Sequence, residues 1–324
     1  MKTHYYNLLN TYEKQVYDLI KQGIFTFQCQ IAIPHSLARV VDVPRVYIFV
    51  GCDYPKVFYV NFYSYDHYST ATHHVIEPYY WYTASQIAKM DGKIEKLLCK
   101  MASRVQGNTQ AQKVQSLYEL VTNNVTYQRE ALVGDRHKLL NESNTIVGVL
   151  FYKKGLCEGI AKVFQMVANM LGIDCIVAHG WTENNSYHTW NIVQIDGATY
   201  HLDATYGIYD FAKSGKTCYD YLNLCDADVA TTHKPSYPVP RCTATRHNYY
   251  VANNLVATNA SDVQRIVQNS TEKTIIFRYG GIYQNDVHAA AQECSNWIHH
   301  YHKRAKNVSY TYTPAYHICR VSYK

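Results

Sequence analysis

The chain has 324 residues, enough for about two domains and a full hydrophobic core, which excludes a small stapled scaffold. Its 31 Lys and Arg against 25 Asp and Glu leave a net charge of +6 with no run of five basic residues, so nucleic-acid binding is not expected. Charged residues make up only 17% while aromatics reach 14%, a balance that excludes intrinsic disorder. Tyrosine accounts for 32 of the aromatics and is unevenly spread: 13 in residues 1–100, 5 in 101–200 and 14 in 201–324.

The N-terminus has no apolar leader core, which predicts a cytoplasmic protein; a leader removed ahead of Met1 predicts a secreted one instead. No apolar stretch reaches 18 residues, so no membrane association is expected. Residues 6–22 carry Leu8, Leu9, Tyr12, Val16, Leu19 and Ile20 at helical spacing, with Gly23 as a stop. Residues 24–33, 45–50, 56–63 and 75–82 read as β-rich runs. Helices are predicted over 84–104 and 112–122, followed by a polar loop over 134–144. A further helix begins at about residue 157 and stops at Gly172, its stripe formed by Ile160, Val163, Phe164, Val167 and Leu171. Strands are predicted over 175–181, 188–195 and 199–204, the last two turning at Asp196-Gly197, a strong hairpin signal. A loop-rich stretch to residue 245 leads to a final α/β piece with helices over 261–268 and 288–303 and strands over 274–279 and 308–312.

Cys157 falls on the first turn of its helix, where the positive end of the helix dipole favours a thiolate. A backbone N–H at that position can also serve as an oxyanion donor. His188 opens one hairpin strand and Asp203 ends the other; their midpoint is 195.5, so the two are expected to pair across the ladder and hydrogen-bond. Together Cys157, His188 and Asp203 have the make-up of a nucleophile, a base and an orienting carboxylate. The other nine cysteines show no C-x-x-C pair and sit mostly in apolar runs, which reads as buried thiols; no metal or other cofactor is expected. His299, His300 and His302 are poorly spaced for chelation, His179 and His201 read as core or surface residues, and Glu158 reads as ordinary dipole stabilisation.

Three motifs, Gly155-Leu156-Cys157-Glu158-Gly159-Ile160-Ala161, His188-Thr189-Trp190-Asn191 and Tyr200-His201-Leu202-Asp203-Ala204-Thr205, resemble in order and spacing the core of the transglutaminase-like superfamily, in its bacterial branch. The likeness continues through residues 53–60 and 219–224 to His233 and Cys242 and takes in most of 5–250. It implies an α+β fold in which a papain-like core, with Cys157 at a helix N-terminus against an antiparallel sheet, is flanked by N- and C-terminal α/β segments. The expected divisions are 1–105, 106–245 for the catalytic core, and 246–324. By the same resemblance Cys157 attacks an acyl group, His188 is base and then acid, and Asp203 orients it. Tyr206 stands where members often carry Trp, and Thr189 replaces a commoner Ala; neither touches the triad. No acidic clusters suited to calcium are present, so calcium activation is not carried over.

Candidate substrate contacts are Trp190, which reads equally as core, Tyr206, and Tyr127, a candidate second oxyanion donor whose plainer reading is core. The tyrosine clusters at residues 63–68, 79–82 and 206–221 are where substrate contacts are expected. The expected activity is a cysteine peptidase or amide hydrolase working through a thioester on a protein or peptide substrate. Transfer of the acyl group to an amine acceptor is the first alternative, and a non-catalytic protein-binding module the second.

Overall fold

The computed structural model describes residues 3–133 and 137–324. The N-terminal part comprises α1 (His4–Asn7), α2 (Thr11–Phe25), β1 (Ile31–Pro34), α3 (His35–Ala38), α4 (Val43–Asp53), β2 (Val60–Ser69) and β3 (His73–Tyr80). The three strands form an antiparallel sheet in the order β1-β3-β2. The single helix expected over 6–22 is split, because the Asn10 side chain accepts from the backbone of Tyr12 and Glu13 while Glu13 reaches back to Asn10. That capping box starts a new helix, which runs past Gly23 to Phe25. The strand expected over 45–50 is instead the middle of α4. Asp42 caps it, Pro44 sits in its first turn, and Val46, Tyr47, Phe49 and Val50 are all buried, so tertiary burial overrides their β propensity.

The central part is built on α5 (Ala84–Ala102), α6 (Gln110–Thr122), the short parallel pair β4 (Thr126–Tyr127) and β5 (Lys154–Gly155), α7 (His137–Asn144) and α8 (Cys157–Met170). Within the loop expected over 134–144, residues 134–136 lie outside the described residues and the remainder is α7. Ile94, Leu98 and Met101 of α5 join the same apolar cluster as Val163, Phe164 and Val167 of α8, so α5 packs with the core although sequence places it in the N-terminal segment. Against α8 lies an antiparallel sheet of β6 (Cys175–Thr182), β7 (Tyr187–Ile195), β8 (Ala198–Leu202) and β9 (His233–Pro235), in the order β8-β7-β6-β9. The β7–β8 hairpin closes through Asp196 and Gly197, both at positive φ (49° and 79°), as a two-residue primed turn requires.

In the stretch expected to be loop-rich, α9 (Ala204–Ser214) and α10 (Asp226–Val229) form, followed by α11 (Tyr249–Ala252). The C-terminal part has its own core, in which α12 (Ala260–Gln268) and α13 (Val287–Tyr301) pack on a sheet ordered β10-β11-β13-β12. Its strands are β10 (Val256–Ala257), β11 (Thr274–Tyr279), β12 (Ser309–Thr313) and β13 (Ile318–Ser322). The strand β13, unforeseen from sequence, pairs on both sides. Among the described residues no helix is long and apolar enough to cross a membrane.

Strand β9 approaches β6 closely at Gly180, which faces Pro235 on one side and His188 on the other. A Cβ there would meet the Lys234 carbonyl oxygen at 2.1 Å, with no flexible side chain able to give way. Gly180→Ala is therefore expected to push β9 off the sheet and cost on the order of 1–3 kcal/mol in denaturant unfolding. An unchanged unfolding midpoint would show that β9 does not need this contact.

Candidate active site

Leu156 is the N-cap of α8, with extended backbone and no capping side chain, so the N–H groups of the first turn are not claimed by the helix. Cys157 is the first helical residue and is half-buried. The approach to it is fixed from two directions: Leu156 N–H donates to Ser143 O at 2.8 Å, and Gln128 N–H donates to Gly155 O at 3.0 Å. Glu158, next in the helix, is buried in an ion pair with Lys162 Nζ at 2.6 Å. Burial alone would raise its carboxyl, but the charge of Lys162, helped by His179, holds it below its ordinary value.

His188 is the second residue of β7. Its Nε2 lies 2.7 Å from Asp203 Oδ2, which leaves Nδ1 free of that bond, and the Cys157 thiol is near enough for its charge to favour the protonated imidazole. Burial works against a charged imidazole, but the Asp203 carboxylate, and Cys157 after it, more than compensate and raise the proton affinity of His188 to about 10. Asp203 is itself buried; its ionised form is favoured because the His188 charge and the bonds from His188 and His233 outweigh desolvation, so its carboxyl stays far below the usual range.

The ladder pairing expected between His188 and Asp203 does not occur. The tight turn pairs Ile195 with Ala198 and Asn191 with Leu202, which centres the hairpin at 196.5, and β8 ends before Asp203. Asp203 is instead the N-cap of α9: Oδ1 accepts from Thr205 N at 2.8 Å and Tyr206 N at 3.1 Å, and this turns Oδ2 toward His188. The two residues meet as sequence predicts, but through a helix cap.

Asp203 Oδ2 has a second donor that sequence reasoning did not assign a role. His233 Nε2 lies 3.1 Å from it, carried by the three-residue strand β9 through the pairing of His233 with Thr182. No spacing rule could have found it, because its position depends on β9 adding to β6 after a long excursion. Trp190, offered as a substrate contact, is instead 1% exposed behind the site. Its ring lies near-parallel to His188 at 6.2 Å, and its Nε1 donates to His201 Nδ1 at 3.0 Å. Tyr206 stacks on His188 at 5.1 Å, and Tyr127 lies against Tyr209 at 4.9 Å. Both hydroxyls are pushed up, chiefly by burial and further by nearby charges that include Cys157.

Cys157 and His188 open onto a cleft of about 690 Å³ whose walls include Tyr63, Trp81, Tyr127, Tyr187 and Tyr206. Of the tyrosines expected at the substrate, those at 65, 68, 79, 80, 82, 219 and 221 do not line it. Donor atoms of His188, Asp203 and His233 lie within 4.8 Å of one another, as do those of His201, Asp226 and Cys242 and of Asp210, Cys218 and Asp220, spacings that a metal ion could also use. In the first set both imidazole nitrogens already sit at hydrogen-bond distance from one carboxylate oxygen.

Residues 100–204 match the family model of the transglutaminase-like superfamily. Three solved structures are similar to part of the chain. A TGase is 18% identical, with a TM-score of 0.33 over 44% of each chain. A candidate cysteine protease from Cytophaga hutchinsonii is 14% identical, with a TM-score of 0.28 over 44% of this chain and 61% of that one. A candidate protease from Parabacteroides distasonis ATCC 8503 is 15% identical, with a TM-score of 0.28 over 43% of this chain and 30% of that one. The chain thus spans less than half of the TGase it resembles, and no curated protein matches it. The segment that carries Cys157, His188 and Asp203, residues 100–204, is a transglutaminase-like superfamily domain.

Proposed function

We propose that this chain is a thiol enzyme that breaks amide bonds of peptide or glutamine type through a thioester on Cys157, and that water resolves the acyl-enzyme. The observation that carries this reading is the placement of His188 between Asp203 and the Cys157 thiol at the wall of an open cleft. His188 takes the thiol proton, and the sulfur attacks the carbonyl carbon. The tetrahedral oxyanion meets the free N–H of Cys157, with the Tyr127 hydroxyl on the same cleft wall as a second donor. Collapse breaks the C–N bond as His188 returns its proton to the departing nitrogen. Water then attacks the thioester, gives a proton to His188, and the sulfur leaves as the acid is released. An amine entering in place of water would turn the same intermediate into a transferase product.

Iodoacetamide at near-neutral pH is expected to modify Cys157 ahead of Cys29 and Cys99, although those two are more exposed. Faster labelling of either exposed thiol, located by peptide mapping, would refute the assignment of the nucleophile.

Asp203→Asn retains an oxygen to cap α9 but loses the charge that holds the His188 proton, so turnover should fall about a thousandfold or more in a variant that is less stable yet, by its thermal melt, still folded at the assay temperature. The sign of the pH effect follows from the raised imidazole. The His188–Asp203 attraction is fully present below the ordinary histidine value of about 6.5 and is lost as pH rises through about 10, so the wild-type alkaline limb should lie near 10. In Asp203→Asn that limb should move down by about one unit or more; a limb that stays in place removes the carboxylate from the mechanism.

A glutamine-peptide library incubated with and without a primary amine separates the two outcomes by mass. Cleaved or deamidated products are expected in both samples. Amine adducts in place of hydrolysis would make the enzyme a transferase.

A further inference from the structure

His233, Thr232 and Tyr316 form a buried line of hydrogen bonds ending on the carboxylate that orients His188. His233 Nε2 lies 3.1 Å from Asp203 Oδ2, Thr232 Oγ1 lies 2.9 Å from His233 Nδ1, and the Tyr316 hydroxyl donates to Thr232 Oγ1 at 3.2 Å. All four residues are no more than 4% exposed, so these bonds are shielded from bulk solvent. An ionised carboxylate only accepts, which requires a proton on His233 Nε2; Nδ1 can then accept from Thr232, whose oxygen accepts from Tyr316. The Thr232 hydroxyl also has the Val229 carbonyl oxygen within reach at 3.3 Å, the longer of its two acceptor distances.

Tyr316 belongs to the C-terminal part, which has a core of its own and contributes nothing to the walls of the catalytic cleft. The C-terminal part is held on the central part by two ion pairs: Arg278 of β11 with Asp228 of α10, and Arg320 of β13 with Asp220. The Tyr316 ring also meets Tyr221 edge-on at 5.2 Å; Tyr221 meets Tyr206 at 5.3 Å, and Tyr206 stacks on His188. Two physical routes therefore run from one C-terminal tyrosine to the two sides of the His188–Asp203 pair.

We infer that the C-terminal part sets the orientation of the Asp203 carboxylate through the relay Tyr316–Thr232–His233, making Tyr316 and His233 positioning residues for the chemistry proposed above. Rotation about the Asp203 side chain would let Oδ2 leave His188 while Oδ1 keeps capping α9. The bond from His233 holds Oδ2 against that rotation. The inference rests on Asp203 being the partner of a working base, and its test keeps the two claims apart.

The test measures the rate of Cys157 alkylation by iodoacetamide against pH, together with kcat and KM on a peptide amide that the wild type cleaves. It is applied to wild type, Asp203→Asn, His233→Leu, His233→Gln and Tyr316→Phe. His233→Leu keeps volume and removes the donor, and should slow both alkylation and kcat by about tenfold or more. KM should stay within about twofold, since none of the relay residues lines the cleft. His233→Gln, which retains an N–H at a comparable reach, should recover most of the loss. Tyr316→Phe, a one-atom change that spares the fold if His233→Leu does not, should lower kcat about threefold with the same unchanged KM.

If Asp203→Asn alkylates as fast as wild type, the reading of the triad fails. If Asp203→Asn is slow while His233→Leu and Tyr316→Phe match wild type, the relay alone is overturned. A fall in stability with kcat intact would leave these residues structural and also overturn it. Stoichiometric zinc in the purified protein that disappears in His233→Leu would overturn it too, by making the same three donors a metal site.

Discussion

One buried carboxylate organises this molecule. Asp203 takes four donors, two from the backbone of the helix it begins and two from imidazoles on separate strands, and in doing so ties the end of β8, the start of α9, β7 and β9 to a single point. An ionised group at 2% exposure is tolerable only when its lone pairs are filled, and here they are. The charge that stabilises an imidazolium is therefore also the charge that fixes the local fold, which places β9 and the hairpin under one constraint.

How much of this could be read in the sequence depended on how local the cause was. The helix at Cys157 and the Asp196-Gly197 turn follow from spacing and backbone conformation within about ten residues, and both are where sequence places them. The meeting of His188 with Asp203 was legible, but its geometry was not, since a shift of one residue in the hairpin centre moves Asp203 out of the ladder and into a cap. Strand propensity misled over 45–50 because α4 is buried on more than one face, and burial then selects Val, Ile and Phe irrespective of backbone type. The contact of His233 with Asp203, and any part for Tyr316, were out of reach for a different reason, although the family likeness takes in His233: the two arrive from 30 and 113 residues beyond Asp203, through a three-residue strand and a 3-10 turn with no periodicity of their own.

The tyrosine excess resolves into two physical uses. Some rings form the cleft wall, where Tyr63, Tyr127, Tyr187 and Tyr206 stand around Cys157. Others are buried donors that satisfy groups the core could not otherwise hide, as Tyr5 does on Val177 O, Tyr17 on Asp53, Tyr118 on Cys218 O and Tyr250 on Asp220. In the second use a hydroxyl on an aromatic body caps a buried carbonyl or carboxylate without the desolvation cost of a cation.

The bare start of α8 has a consequence for how this chain could change. Helices α2, α5, α6, α12 and α13 all begin with a side chain from Asn, Thr or Asp folded onto their first N–H groups, whereas α8 begins at Leu156 with none. A cap of that kind is worth about 1 kcal/mol, so the fold forgoes an available gain at the helix that carries Cys157. A Ser, Thr, Asn or Asp at position 156 would accept from the N–H groups of residues 158 and 159 and leave that of Cys157 open, so what opposes such a cap is the loss of the buried Leu156 side chain.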